Sequence, residues 1–295
     1  MASLKEIRLR IASVQGTRQI TSAMKMVSAA KLRKAQDNII RMRPYANKLN
    51  KILSHLTYNL GEDSDIALLN QREENRVLII AISSNKGLCG AFNSNVARKT
   101  LTLLENDYRK LHSEGKAELL LIGRKVFDVL KNKGFKIKQT RHEILDKPNF
   151  EVIRKLAEEV MSEYEKGKYD KVLLIYNQFR NAAVQTLVTE QFLPMIPVQD
   201  QEPTGSNQEI YYILEPSKKS IVRELIPKAL RIQFYKAFLD SLASEHGARM
   251  TAMHSATDNA TEIIRSLQLE YNKARQAAIT KEILEIVGGA NALKA

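Results

Sequence analysis

The sequence predicts an α/β protein in which the N- and C-terminal helices pair as a long antiparallel coiled coil and a Rossmann-like α/β domain is inserted between them. Three observations carry this. Residues 3–43 contain no proline and one glycine, Gly16, and bear an apolar stripe at helical spacing. Residues 217–287 return to helical spacing over a nine-position seam. Between the two, short apolar runs alternate with helical stretches, the pattern of a mainly parallel sheet.

In the first helix Leu4, Ile7, Ile11 and Val14 step by three and four. Ile20, Met24 and Val27 resume the stripe after a shift of phase, so the seam reads as an imperfect heptad. Ser3 and Glu6 have the spacing of a capping box. Pro44 is expected to kink or interrupt the helix, which Leu49, Ile52, Leu53 and Leu56 then carry to about Leu60. Roughly 55 helical residues reach about 80 Å, more than a small domain is wide, so such a helix needs a partner.

Residues 61–75 are polar and acidic and read as a linker. Val77–Ile82 is the first strand, followed by a Ser/Asn/Gly turn and a helix near 93–112. Strands are expected at 119–122, 135–138, 172–177 and 184–192, with helices at 124–133 and 150–166. A short strand is expected at Tyr211–Leu214. In the last helix Met250, Met253, Thr257, Ala260, Ile264, Leu267, Tyr271, Ala274 and Ala278 step strictly by three and four. Its alanines let a partner helix approach closely. The expected division is therefore 1–60 N-terminal coiled-coil helix, 61–75 linker, 76–207 α/β domain, and 208–295 C-terminal coiled-coil helix with an apolar tip.

The 295 residues carry a net charge of +13, unevenly spread. Residues 1–60 hold 12 Lys/Arg against Glu6 and Asp37. A basic helix of this kind wants an acidic partner: nucleic acid, anionic lipid or acidic protein loops. The longest clean apolar run, Val77–Ile82, is far short of a membrane span. One cysteine, Cys89, excludes a disulfide framework and a cysteine-built zinc site. The first residues lack an apolar signal core, and secretion is not expected.

No active site is legible. The turn from Ser83 to Asn93 follows a strand, where nucleotides often bind, but lacks the Gly-Lys-Ser/Thr ending and the three-glycine spacing of the phosphate-binding loops. The five histidines show no triad-like or metal-like spacing, and no carboxylate pair stands out. Cys89 reads better as a packed thiol than as a nucleophile. Ile283, Leu284, Ile286, Val287 and Leu293 keep the C-terminal end apolar past the point where a paired helix should turn polar. An exposed apolar end suggests that another protein sheathes it.

Three stretches resemble the gamma subunit, or central stalk, of the F-type rotary ATP synthase: Ile11–Arg33, containing Ile-Thr-Ser-Ala-Met-Lys-Met-Val-Ser-Ala-Ala-Lys-Leu-Arg; the turn Ser83–Asn93; and the C-terminal blocks 244–250, 256–260, 271–280 and 285–290. They follow the family's order along the whole chain. Asn85 and Lys86 stand where the family usually has Asp and Arg, and Gly247 where Ala is common.

The resemblance implies a non-catalytic rotor shaft that couples proton flow through a membrane ring to ATP synthesis at beta subunits, and that regulates ATPase activity and proton flow. It implies no catalytic residue, no metal and no cofactor. Its expected partners are alpha and beta subunits, an epsilon subunit and the membrane ring, with no nucleic acid and no membrane span of its own. The expected place is peripheral, on the cytoplasmic face of a bacterial inner membrane. Met24, Lys25, Lys86, Gly87, Leu88, Cys89, Arg275 and Gln276 correspond to beta-subunit contacts. Ile283, Ile286, Val287 and Leu293 correspond to a bearing tip. Arg41, Arg43, Tyr211 and Glu215 correspond to a foot that meets the ring and epsilon. The alternative reading is a basic coiled-coil arm that binds nucleic acid, against which stands the lack of interleaved aromatics in residues 1–43.

Overall fold

The computed structural model describes residues 3–58, 66–146, 148–196, 215 and 217–292. The strand expected at Tyr211–Leu214 falls outside them. The chain divides into two compact units, residues 29–248 and residues 1–28 with 249–295. These boundaries fall inside the two long helices, α1 (Leu4–Tyr58) and α6 (Lys218–Ala292), not at their ends.

The larger unit is built on a five-stranded sheet ordered β3-β2-β1-β4-β5. Here β1 is Val77–Ile82, β2 Ala117–Ile122, β3 Ile137–Thr140, β4 Lys171–Phe179 and β5 Gln185–Leu193. The first four are parallel, and β5 returns antiparallel to β4. Every residue of β1 is buried. That is why its sequence is a continuous apolar run: a parallel strand covered on both faces has no polar side.

Alternate side chains of the sheet feed two cores. Leu78, Ile80, Ile82, Leu174 and Tyr176 pack against α5 (Phe150–Glu165), the Val222–Phe238 face of α6, and Leu49, Leu53 and Leu56 of α1. Val77, Ile79, Ala81, Leu119, Leu121 and Ile175 pack against α2 (Phe92–Thr102) and α4 (Arg124–Leu130). Asn149 caps α5 by accepting from the Glu151 amide at 3.2 Å.

Three expectations for the larger unit change. The helix expected at 93–112 is α2, a π-helical turn at Leu103–Asp107, and a short α3 (Arg109–Ser113). The extra residue in that turn lets Leu103, Leu104 and Tyr108 all reach the core. Ile66 and Leu68, within the stretch read as linker, are buried in the α6-side core. Neither Pro44 nor Pro227 ends its helix. Each forfeits one backbone hydrogen bond, and the packed face of the long helix holds it through the gap.

The smaller unit is the antiparallel pairing of α1 with the C-terminal part of α6. Ser3 caps α1, accepting from the Glu6 amide at 3.2 Å. On α6 the side chains at 250, 253, 257, 260, 264, 267, 271, 274 and 278 are buried or half-buried, and their outward neighbours are exposed. The nine-position seam thus stands as the spacing predicts.

On α1 the apolar stripe misleads. Ile20 and Val27 are 63% and 56% exposed. The covered positions are Arg18, Thr21, Lys25 and Ser28, which continue the three-four spacing of Leu4, Ile7, Ile11 and Val14 without a phase shift. The heptad is regular, and its middle is polar.

Two positions show how tightly the α/β unit is set. Gly123, between β2 and α4, has φ +103°, and a Cβ there would lie 2.6 Å from the Ser83 carbonyl oxygen. Asp240 on α6 is 3% exposed. Burial pushes its carboxyl up to about 6, helped by Glu190 and opposed by Lys236 and Arg43.

Gly123→Ala combines a left-handed backbone with a backbone clash, and it is expected to destabilise the chain by about 2–4 kcal/mol in urea unfolding. For Asp240 the sign follows from proton binding. The folded carboxyl holds its proton to about pH 6 and the unfolded one only to an ordinary 3.8. Stability therefore falls as pH rises through that window and stays lower above it. Asp240→Asn is expected to raise Tm at pH 8 relative to wild type, with the gain shrinking steeply as pH falls from 6 to 4.

Candidate functional site

Two surfaces collect the residues singled out by the sequence. The first is the coiled coil with its apolar continuation. Its register is set by the Thr21 and Thr257 hydroxyls, 2.8 Å apart, and by Lys25 Nζ at 3.4 Å from His254 Nδ1. Each hydroxyl also reaches a backbone carbonyl one turn back, Arg18 and Met253 respectively. His254 Nδ1 lies 3.2 Å from Asp258 as well.

Facing positions thus sum to about 278, which sets Ser3 near Arg275. Beyond that point α6 has no facing turn of α1, and the described side chains at 279–289 are all exposed. Among them are Ile279, Ile283, Leu284, Ile286 (71% exposed) and Val287. Five exposed aliphatic side chains within nine residues, interspersed with Lys281, Glu282 and Glu285, are more apolar surface than a helix in water ordinarily shows.

Met24 is half-buried beside the seam, while Arg275 and Gln276 are exposed. Leu293 lies outside the described residues. The outer face of α1 is basic and also shows Leu9, Ile20, Met26 and Val27 to solvent.

The second surface is the turn between β1 and α2 in the α/β unit. Cys89 is buried, whereas Lys86 and Leu88 face solvent and Gly87 is half-buried. Asn85 ties the turn to its surroundings: its Nδ2 donates to the His142 carbonyl at 2.8 Å and to Asp146 at 3.1 Å, and its Oδ1 accepts from the Arg124 amide at 3.3 Å. Asn93, not singled out by the sequence reading, spans the turn. Its Oδ1 accepts from the Ser84 amide at 3.0 Å, and its Nδ2 donates to Ser84 Oγ at 2.8 Å and to Cys89 Sγ at 3.1 Å. The Ser84 hydroxyl in turn donates to the Lys86 carbonyl at 2.6 Å. The only available signal was the run of short polar residues around the glycines.

The foot residues separate. Arg41 and Arg43 are exposed on α1 in the α/β unit, where Arg43 faces the buried Asp240. Glu215 is exposed, and Tyr211 lies outside the described residues. Among the described residues no three His, Cys, Asp or Glu side chains are grouped to hold a metal ion, and no helix is long and apolar enough to cross a membrane.

A regular antiparallel coiled coil with exposed apolar side chains at its end, encoded at the two ends of a chain whose middle is a mainly parallel α/β domain, defines a coiled-coil protein with an inserted α/β domain. Comparison with known proteins narrows the class. A family model described as ATP synthase matches residues 3–293. The ATP synthase gamma chain of Christiangramia forsetii is 52% identical over 293 residues, 99% of each chain, and that of Flavobacterium psychrophilum is 52% identical over 294 residues, the whole of each. The structure of the Euglena gracilis mitochondrial ATP synthase OSCP/F1/c-ring contains a chain with the same fold, at TM-score 0.67 and 22% identity over 98% of this chain and 94% of that one. The chain belongs to the ATP synthase gamma-chain family.

The seam itself is open to test. Ala260 is buried between the helices, and a large side chain there must push them apart. Ala260→Phe is expected to cost about 1–3 kcal/mol in denaturant unfolding of the full chain. Thr261→Phe, one residue away on the exposed face, is expected to change little.

Proposed function

We propose that this chain is the rotor shaft of a proton-translocating F-type ATP synthase, coupling proton flow through a membrane ring to ATP synthesis at beta subunits and regulating ATPase activity and proton flow. The observation that carries the reading is the full-length likeness to gamma chains. The physics agrees. Two helices locked by a continuous seam resist twisting and bending better than one, which suits an element that transmits torque. An apolar end makes contacts that are non-directional, so it can turn inside a greasy sleeve without breaking specific bonds.

In this reading the chain forms and breaks no covalent bond, and catalysis belongs to the beta subunits. The expected partners are alpha and beta subunits, epsilon and the membrane ring. The place is peripheral, on the cytoplasmic face of a bacterial inner membrane. Met24, Lys25 and the turn at Lys86–Leu88, backed by the buried Cys89, meet the moving loop of beta, and Arg275 and Gln276 catch a beta subunit farther along the shaft. Ile283, Ile286, Val287 and Leu293 form the bearing. Arg41, Arg43, Tyr211 and Glu215 form the foot. The basic outer face of α1 suits acidic loops, and the side chains between its charges near the seam are aliphatic, which disfavours base stacking on nucleic acid.

Affinity purification of the tagged chain from detergent-solubilised membranes is expected to recover alpha and beta subunits in fixed stoichiometry. Recovery of RNA in their place at physiological salt would overturn the reading. Joint replacement of Ile283 and Ile286 by Asp is expected to leave the melting temperature of the isolated chain within about 1 °C, because both side chains are already in water. In the assembled complex the same change is expected to lower ATP-driven proton pumping several-fold.

A further inference from the structure

Leu88 is the sole non-glycine residue with positive φ among the described residues, at +61°. A branched apolar side chain in that region costs free energy that a glycine would not incur. It is also 64% exposed, so burial returns almost nothing to offset the cost. Strain of this kind persists where the surroundings over-determine the backbone. Here the surroundings are the Asn93 clamp and the Asn85 anchor.

The clamp is built on the ends of the turn. Asn93 stands in the first turn of α2, fixed by that helix, and Ser84 follows the fully buried end of β1. One amide side chain therefore binds the entry of the turn through Ser84 and its buried interior through Cys89. Cys89 is held inward next to Leu88, and Gly90 follows with φ +58°. With the residue after it pinned inward and the backbone left-handed, Leu88 is held outward. The rim beside it carries more positive than negative charge: Lys86 and Arg124 are exposed, the Lys125 side chain lies 3.9 Å from where a Gly87 Cβ would sit and pairs with Asp128 at 3.7 Å, and Asp146 is held by Asn85.

We infer that Asn93 is a positioning residue that holds Leu88 as a rigid apolar knob, and that the knob enters an acid-rimmed apolar pocket on a neighbouring subunit of the assembly. The inference rests on the reading of this turn as a subunit contact. It adds that the contact is pre-organised, and that the strain at Leu88 is kept because the side chain works outside this chain. A pre-formed knob loses little conformational freedom when it docks. The flanking positive charge selects an acidic rim.

The test is a double-mutant cycle in the assembled complex, reading ATP-driven proton pumping per ATP hydrolysed, with melting of the full chain alongside. Leu88→Ala is expected to lower coupling at least about fivefold, the scale of an interface anchor. Leu88→Gly is expected to lower it as much while leaving Tm unchanged or higher, since it relieves the left-handed strain. Asn93→Ala is expected to lower coupling in the wild-type background and to add nothing in the Leu88→Ala background. Asn93→Ser, which keeps a short polar group, is expected to restore part of the loss. If Leu88→Ala and Leu88→Gly leave coupling intact, the turn is not a subunit contact and the underlying reading falls. If they lower coupling but Asn93→Ala does not, or if Asn93→Ala costs the same in both backgrounds, the positioning role is overturned and the contact stands.

Discussion

The structure depends on one geometric constraint: α1 must present a covered side chain every three or four residues from its first turn to its last. Leu4, Ile7, Ile11, Val14, Arg18, Thr21, Lys25, Ser28, Leu32, Ala35, Ile39, Met42, Ala46, Leu49, Leu53 and Leu56 meet it without a break. A spacing of 3.5 residues keeps one face turned toward a partner over any length, whereas a straight helix of 3.6 residues per turn drifts away. Within the smaller unit the partner is α6, and within the larger one Leu49, Leu53 and Leu56 join the sheet core.

The polar middle of the seam has a cost and a use. Thr21 and Ser28 are buried where leucines would contribute more stability. The Thr21 hydroxyl donates to the Arg18 carbonyl and meets the Thr257 hydroxyl, so its cost is lost apolar burial and not an orphaned polar group. Polar pairs at matched positions penalise any slip of one helix past the other. A shaft whose register slid under load would transmit displacement in place of torque, so a fixed register suits a rotor.

The sequence revealed the architecture well and the contacts less well. The strands are short apolar runs bounded by polar turns, and β1 declares itself because both its faces are covered. The C-terminal seam reads directly, since Met253, Ala260, Ile264 and Leu267 are apolar and buried together. The N-terminal seam hides its middle, because Thr21, Lys25 and Ser28 carry no hydropathy signal while exposed Ile20 and Val27 carry a false one. Those two residues are apolar on the open face of the helix, and hydropathy cannot tell a surface awaiting a neighbour from an internal one. The π-helical turn at Leu103–Asp107 leaves no signature in spacing. The Asn93 clamp was invisible for a different reason: Ser, Asn and Gly in a turn announce a bend, not which side chain ties it.

The naked run from Ile279 to Val287 bears on how a cell must manufacture this molecule. Ile279, Ile283, Leu284, Ile286 and Val287 stand in water on the folded chain, so each newly made copy offers aliphatic contacts to every other copy and to unfinished chains nearby. Surplus synthesis would then end in clumps and degradation, so output beyond what the assembly takes up is a liability to the cell.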